Sequence, residues 1–315
     1  MSNKNLVSII IPTYNHEKFI EESIESALDQ TYKEIEVIVI DAGSTDSTAK
    51  IIDKKYLNFI KFFKLKNSDP SSTINYGIQN STGKFIALSS GDDVNYKNRI
   101  QSQLEFLKNY KSELVFSSQN LINEKGKKKI LNTIFNQKFI NDNFDNFLHL
   151  FIFGNYLCAP TAFIDRVVFN KIGFFNPLFF QLQDYEFWMR ALLKNIKINY
   201  DNSKLISYRV HKDSLSKKQN DKKMLNEIPL VLFEVLNTKS NNFKKIFSNY
   251  FTYNEINKIK NQLTVNQIQQ ILSNHPLENV RFFSKWIFFD YIRTQNINLM
   301  NNDEFNVGKY INSVI

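Results

Sequence analysis

The chain of 315 residues holds one cysteine, Cys158, so no internal disulfide can form, and a single thiol fits a reducing compartment. Glycine is scarce at eight residues, with no GxxxxGK[ST] loop and no GxGxxG after the first strand-like run, which argues against a P-loop or a dinucleotide-binding fold. No stretch reaches the roughly 20 apolar residues of a membrane-spanning helix. The longest aromatic run, RFFSKWIFFDYIR, is interrupted by Lys285 and Asp290. The apolar run near the amino terminus is too short for a signal peptide and is broken by Pro12. These absences lead to the expectation of a cytoplasmic protein, with peripheral contact on the inner face of the membrane left open.

Acidic residues are also in the minority, 31 against 40 basic ones, for a net charge of +9. That balance favours anionic partners: a nucleotide diphosphate, an acidic membrane face or a nucleic acid. No nucleic-acid-binding motif accompanies the charge, so no nucleic acid is expected as a partner. A composition 43% hydrophobic and 23% charged is that of a folded chain able to bury a substantial core.

What is present is an alternation. LVSIII (Leu6 to Ile11) and IEVIVI (Ile35 to Ile40) are continuous runs rich in β-branched residues, the pattern of strands covered on both faces in a parallel sheet. Between them EKFIEESIESALDQ spaces Phe19, Ile20, Ile24, Ala27 and Leu28 as one helical face. DAGSTDSTAKIIDKKY leads into a second helix, FIKFFKL and KFIALSS read as strands, and STINYGIQNS as a short helix. The expected fold is therefore α/β, with a doubly wound, mostly parallel sheet flanked by helices. Further on, RIQSQLEFLKNY predicts a helix, ELVFSS a strand, NEKGKKKI a hairpin tip, DRVVFNKIGFF and DYEFWMRALLKN helices, and KINY and KLISYRV two strands. Beyond Asp213 strand signals vanish and helical spacing remains, so a helical carboxyl-terminal extension is expected over 213–315.

Ligands of such sheets sit beyond the carboxyl ends of the strands, which brings three polar loops together: Thr13-Tyr14-Asn15, Asp41 to Asp46, and Ser90 to Asn95. In ALSSGDDVNYKNR, two adjacent carboxylates follow an apolar strand. Asp92, Asp93 or both can hold a divalent cation bridging to phosphate oxygens, while a helix cap by Asp93 or Asn95 accounts for them equally well. Asp41 stands at a strand end, where it can accept hydrogen bonds from a base or ribose, and an Asx turn fits Asp46 better. Asp184 opens a helix with an aromatic face, where capping is the alternative. Trp188 and the cluster Phe174, Phe175, Phe179 and Phe180 suit a core, or stacking on a sugar.

Taken in order, these blocks resemble the family 2 glycosyltransferases. VSIIIPTYNHEKFIEESIESALDQTYKEIEVIVIDAGSTDSTAKII is similar to their opening strand, P-[TV]-Y-N and D-[DG]-G-S-T-D pattern. INYGIQNSTGKFIALSSGDD resembles the segment leading to their D-x-D motif. FIDRVVFNKIGFFNPLFFQLQDYEFWMR and YRVHKDSLS resemble their later blocks, so the likeness covers about the first two thirds of the chain. Three positions depart: Ser90 for the first Asp of D-x-D, Ala42 for a common Asp or Gly, and Gln183 for a frequent Glu.

The resemblance implies a GT-A fold and an inverting transfer of a sugar from a nucleotide donor, most often a UDP-sugar. It assigns Thr13, Tyr14 and Asp41 to the nucleoside, with Asp69 a weaker candidate, and Ser90 to a ribose hydroxyl. Asp92 with His211, and Asp93 beside it, would hold Mn²⁺ or Mg²⁺, imidazole favouring manganese. Arg209 would face the leaving group, or else form a strand-edge ion pair. Asp184 would be the base for the acceptor, a glycan or lipid-linked glycan. The implied domains are a catalytic unit over 1–212, with a nucleotide-sugar half to about 120 and an acceptor half over 121–212, followed by the helical region. The carboxyl-terminal helices could rest on anionic lipid or form a homodimer contact, with packing on the catalytic unit the default. The departure at Ser90 keeps a non-catalytic, nucleotide-sugar-binding scaffold as the alternative.

Overall fold

The computed structural model describes residues 5–129, 150, 155–214, 227 and 231. The chain divides into two compact units, Met1–Met224 and Leu225–Ile315. The helices expected beyond residue 213 lie almost wholly outside the described residues.

The alternation is realised as β1 (Val7–Thr13), α1 (Ile20–Leu28), β2 (Ile35–Asp41), α2 (Thr48–Lys55), β3 (Lys61–Lys64), α3 (Pro70–Gln79) and β4 (Phe85–Leu88). There follow β5 (Val94–Asn95), α4 (Arg99–Tyr110), β6 (Leu114–Ile122), β7 (Phe163–Asp165), α5 (Val167–Ile172), α6 (Gln183–Leu193) and β8 (Ile198–Arg209). One eight-stranded sheet runs in the order β3-β2-β1-β4-β7-β6-β8-β5. The pairs β3–β2, β2–β1, β1–β4 and β6–β8 are parallel, while β7 and β5 pair antiparallel with their neighbours. Because β7 reverses direction between β4 and β6, strands β6 and β8 point the same way as β1, β2 and β4. Their carboxyl ends share one edge of the sheet.

The continuous apolar runs mean what two-sided burial predicts. Ile9, Ile11, Val37, Val39 and Ala87 join Ile20, Ile24 and Ala27 of α1 and Ile100 and Leu104 of α4 in one core, each large aliphatic side chain contributing roughly 1.5–3 kcal/mol. On the other face α3 packs on β1 and β2. Gly77 makes that approach possible, since a Cβ there would lie 2.5 Å from Ile40 Cδ1. Helix α6 is buried along most of its length, from Tyr185 to Met189 and from Ala191 to Leu193. Trp188 sets its edge on Phe116 of β6, with centroids 4.8 Å apart, and Phe187 stacks on Phe175 at 4.3 Å. Trp188, Phe175 and Phe179 are thus core residues, whereas Phe174 and Phe180 are exposed.

Two expectations change. KINY and KLISYRV form the single strand β8, because Asp201–Ser203 is accommodated as a bulge against β6 with Ser203 N–H closing on Asp201 Oδ1 at 2.8 Å. The two- and three-residue strands β5 and β7 carry no alternation long enough to read. The expected hairpin tip is the turn at Asn123–Lys127, tied by Ile122 and Lys128. Among the described residues no helix is long and apolar enough to cross a membrane.

Candidate active site

Each parallel strand hands a polar loop to the carboxyl edge. Thr13 at the end of β1 lies in register with Asp41 at the end of β2. Asp41 is buried, and its Oδ1 accepts the backbone N–H of Ser44 at 3.0 Å and the Ser44 hydroxyl. Asn15 takes a left-handed conformation (φ 55°), which Asn tolerates, and laces the two loops together. Its N–H donates to Ser44 Oγ at 2.9 Å and its Oδ1 accepts the Thr45 N–H at 2.8 Å. Tyr14 beside it is half exposed, at 52%. Asp46 accepts the Thr48 N–H at 2.9 Å, the Asx turn expected of it.

The third loop leaves β4 and crosses the end of β1. Gly91 N–H donates to the Pro12 carbonyl at 3.1 Å, and the Ser90 carbonyl accepts from the Ser23 hydroxyl of α1 at 2.7 Å. Only glycine fits at 91, since a Cβ would lie 2.5 Å from Thr13 Oγ1 and 2.7 Å from His16 Nδ1. This close crossing delivers Asp92 to two imidazoles. Its Oδ2 is 3.0 Å from His211 Nε2 and 4.0 Å from His16 Nε2, and its Oδ1 accepts from the Ser90 hydroxyl. His16 Nδ1 in turn lies 3.2 Å from Thr13 Oγ1. Burial pushes the Asp92 carboxyl up, but the His211 hydrogen bond, the His16 ring and the Ser90 hydroxyl outweigh it and leave it below its ordinary value. Burial holds His16 below its ordinary value.

One ligand atom from each of His16, Asp92 and His211 lies within 4.8 Å of the others. One carboxylate oxygen and two imidazole nitrogens suit a divalent first-row transition ion. Asp93 does not join them. Its side chain turns inward, where Oδ1 accepts the Arg209 N–H at 2.8 Å and Oδ2 is buried with no hydrogen-bond partner among the described residues. Burial and then the neighbouring Asp92 charge hold Asp93 well above the usual carboxylate range.

Arg209 is buried and fully engaged by protein. It donates to the carbonyls of Asp92 (2.8 Å), Asn123 (3.1 Å) and Glu124 (3.2 Å), pairs with Glu22 of α1 and stands 4.9 Å over the Phe19 ring. It is a clamp on the Asp92 loop, and of the two readings of this residue the ion pair is the one the structure displays. Asp69 caps α3, accepting the Ser72 N–H at 2.8 Å ahead of Pro70 at the first helical position. Neither Asp93 nor Asn95 caps α4, whose flanking residue is Asn98.

Asp184 lies in the first turn of α6, with its Oδ2 accepting from Asn155 Nδ2 at 2.8 Å and its Oδ1 from the Tyr185 N–H at 2.7 Å. Burial raises it to about 6 despite these bonds. The Cys158 thiol is pushed well up, first by burial and then by the carboxylates of Asp93 and Asp184.

His16 and Asn155 were not among the residues expected at this edge. The chain has four histidines, and two of them meet at one carboxylate. Scarcity, together with a place directly after a strand-end loop, was the only signal available for His16.

The model of the family described as "Glycosyl transferase family 2" matches residues 8–173. An uncharacterized glycosyltransferase of Rickettsia felis is 34% identical over 216 residues, 68% of this chain but 35% of that protein, so the chain spans about a third of that relative's length. The UDP-Glc:alpha-D-GlcNAc-diphosphoundecaprenol beta-1,3-glucosyltransferase WfaP of Escherichia coli is 32% identical over 214 residues, 67% of this chain and 80% of that protein. Among solved structures, S. aureus TarS 1-349 shares the fold at a TM-score of 0.60 and 19% identity, covering 91% of this chain and 85% of that one. A further structure of the same TarS segment contains UDP-GlcNAc.

Proposed function

This chain belongs to glycosyl transferase family 2, and from that premise we propose that it transfers a sugar, with inversion, from a UDP-sugar to a glycan or lipid-linked glycan in the building of a bacterial surface polysaccharide. The donor class is supported by the UDP-glucose named for WfaP and the UDP-GlcNAc bound to TarS, and the acceptor class by the diphosphoundecaprenol in the WfaP name. The observation that supports the reading is the contrast between two buried carboxylates. Asp92 is held low between His211 and His16, while Asp184 is held near 6 by burial. A ligand must stay ionised and a base must exchange its proton near neutrality, and two environments divide those tasks between two like residues.

In the proposed reaction Thr13, Tyr14 and Asp41 receive the nucleoside. Asp92 and His211 would hold Mn²⁺ or Mg²⁺, which as a Lewis acid would stabilise charge on the departing diphosphate. The Asp184 carboxylate takes the proton of the acceptor hydroxyl as its oxygen attacks the anomeric carbon, and the bond from that carbon to the diphosphate oxygen breaks. Asn155 orients the carboxylate through Oδ2. Arg209 keeps the Asp92 loop in place, and Ser90, without a charge of its own, steadies the Asp92 carboxylate by its hydroxyl.

The test is a panel of nucleotide sugars with Mn²⁺ and extracted lipid-linked glycans. Acceptor-dependent release of UDP by the wild type, abolished in Asp184→Asn with UDP binding retained, is the expected result. Donor binding with no turnover by the wild type would instead support the scaffold.

A further inference from the structure

We propose that His16 is a third protein ligand of the divalent ion, so that His16, Asp92 and His211 together bind it before any nucleotide arrives and select manganese over magnesium. The proposal rests on the ion site of the preceding reading and adds a ligand and a preference to it. His16 Nε2 faces the same carboxylate oxygen that His211 Nε2 contacts, at 4.0 Å and 3.0 Å respectively, and the two rings meet edge to face with centroids 6.1 Å apart. With metal–ligand bonds of about 2.1 Å, two donors on one ion stand about 3 Å apart when adjacent and about 4.2 Å apart when opposite. The three donors lie within 4.8 Å of one another, so with the two imidazoles opposite each other the wider separations need to close by up to about 1 Å to share one ion.

The surroundings hold His16 in this pose. Thr13 Oγ1 lies 3.2 Å from Nδ1, where it can accept the N–H of the tautomer whose Nε2 lone pair is free, the outer-shell arrangement typical of ligating histidines. The backbone N–H of His16 is fixed by Thr48 Oγ1 at 2.9 Å. The missing Cβ at Gly91 is what makes room for the ring, because any side chain there would press on Nδ1 and on Thr13. Three separate segments, the β1 loop, the β4 loop and the stretch after β8, therefore converge on one small volume. A single carboxylate that needed only a nucleotide-borne ion would not require the second imidazole.

The chemistry of the set decides the ion. Magnesium prefers oxygen ligands and keeps several waters, so two imidazoles suit it poorly. Imidazole nitrogen favours transition ions, and affinity rises from Mn²⁺ towards Zn²⁺. Three protein donors also leave positions free on a six-coordinate ion for diphosphate oxygens.

The experiment is Mn²⁺ titration of the nucleotide-free protein followed by electron paramagnetic resonance, with pulsed measurements counting the nitrogens coupled to the bound ion. Expected are one Mn²⁺ per chain, two imidazole nitrogens in the wild type, and no displacement by equimolar Mg²⁺. In His16→Ala one nitrogen should remain and affinity should fall by about tenfold or more. One coupled nitrogen in the wild type overturns the proposal without any variant, as does the absence of binding before nucleotide is added, or equal competition by Mg²⁺. Asp92→Asn separates the levels. If it abolishes Mn²⁺ binding while His16→Ala leaves both affinity and the nitrogen count unchanged, only the role of His16 falls. If neither changes binding, the ion site of the proposed reaction falls with it.

Discussion

Asp92 and Asp184 are both buried carboxylates, and their surroundings treat them in opposite ways. Asp92 accepts hydrogen bonds from His211 and the Ser90 hydroxyl, has the His16 ring nearby, and is held below its ordinary value in spite of burial. Asp184 has one side-chain amide and one backbone N–H, and burial prevails, raising it to about 6. Burial acts on both, and the two imidazoles that only Asp92 has beside it decide the outcome. A site built this way can keep one carboxylate permanently charged beside an ion and leave the other free to take up a proton.

The largest test of that contrast removes the exchangeable proton site. Asp184→Asn should lower transfer by about 10²–10⁴-fold, measured as acceptor-dependent UDP release, with UDP affinity unchanged. An equal loss of UDP binding would mean that Asp184 serves the donor instead. Gly91→Ala should come next. Its methyl group strikes Thr13 and His16, so Mn²⁺ affinity and turnover should both fall by about tenfold or more while the fold survives, as judged by circular dichroism.

A smaller effect appears in the pH profile. Asp184 must be ionised to act as a base and its value lies near 6, so kcat should decline as pH falls below about 6, approaching tenfold per unit. An acid limb displaced to near pH 4 would show that Asp184 is solvated and ordinary. The smallest effect is on stability. A carboxyl raised on folding contributes stability that is fully present below its unfolded value near 4 and is lost as pH rises through 6. Asp184→Asn should therefore melt at the wild-type temperature near pH 4 but be more stable than wild type at pH 8, by on the order of 2 kcal/mol or a few degrees. A variant less stable than wild type at pH 8 would contradict the cost assigned to that buried charge.

The same contrast explains what the sequence could reveal. β1, β2 and β4 were legible because two-sided burial writes itself as unbroken apolar runs, and their order placed Thr13, Asp41 and Asp92 at one edge. Asp93 was not separable from Asp92, since adjacent acids look identical in sequence while the backbone sends their side chains opposite ways. Arg209 reads as a cation in sequence. Its four acceptors come from residues 22, 92, 123 and 124, which only the folded chain assembles. Asp69 is legible as a cap from Asp-Pro at a helix start. His16 depends on the absence of a side chain 75 positions away, at Gly91, and no local pattern records such a contact.

The account rests on the two carboxylates titrating apart, and that is observable directly. Carboxyl carbon resonances of ¹³C-labelled aspartate, assigned with Asp92→Asn and Asp184→Asn, should be followed from pH 3 to 9 in metal-free protein. The account predicts a group that titrates near 6 and disappears in Asp184→Asn, and a second that titrates below the usual aspartate range and disappears in Asp92→Asn. Titration of both at the ordinary aspartate value would contradict it.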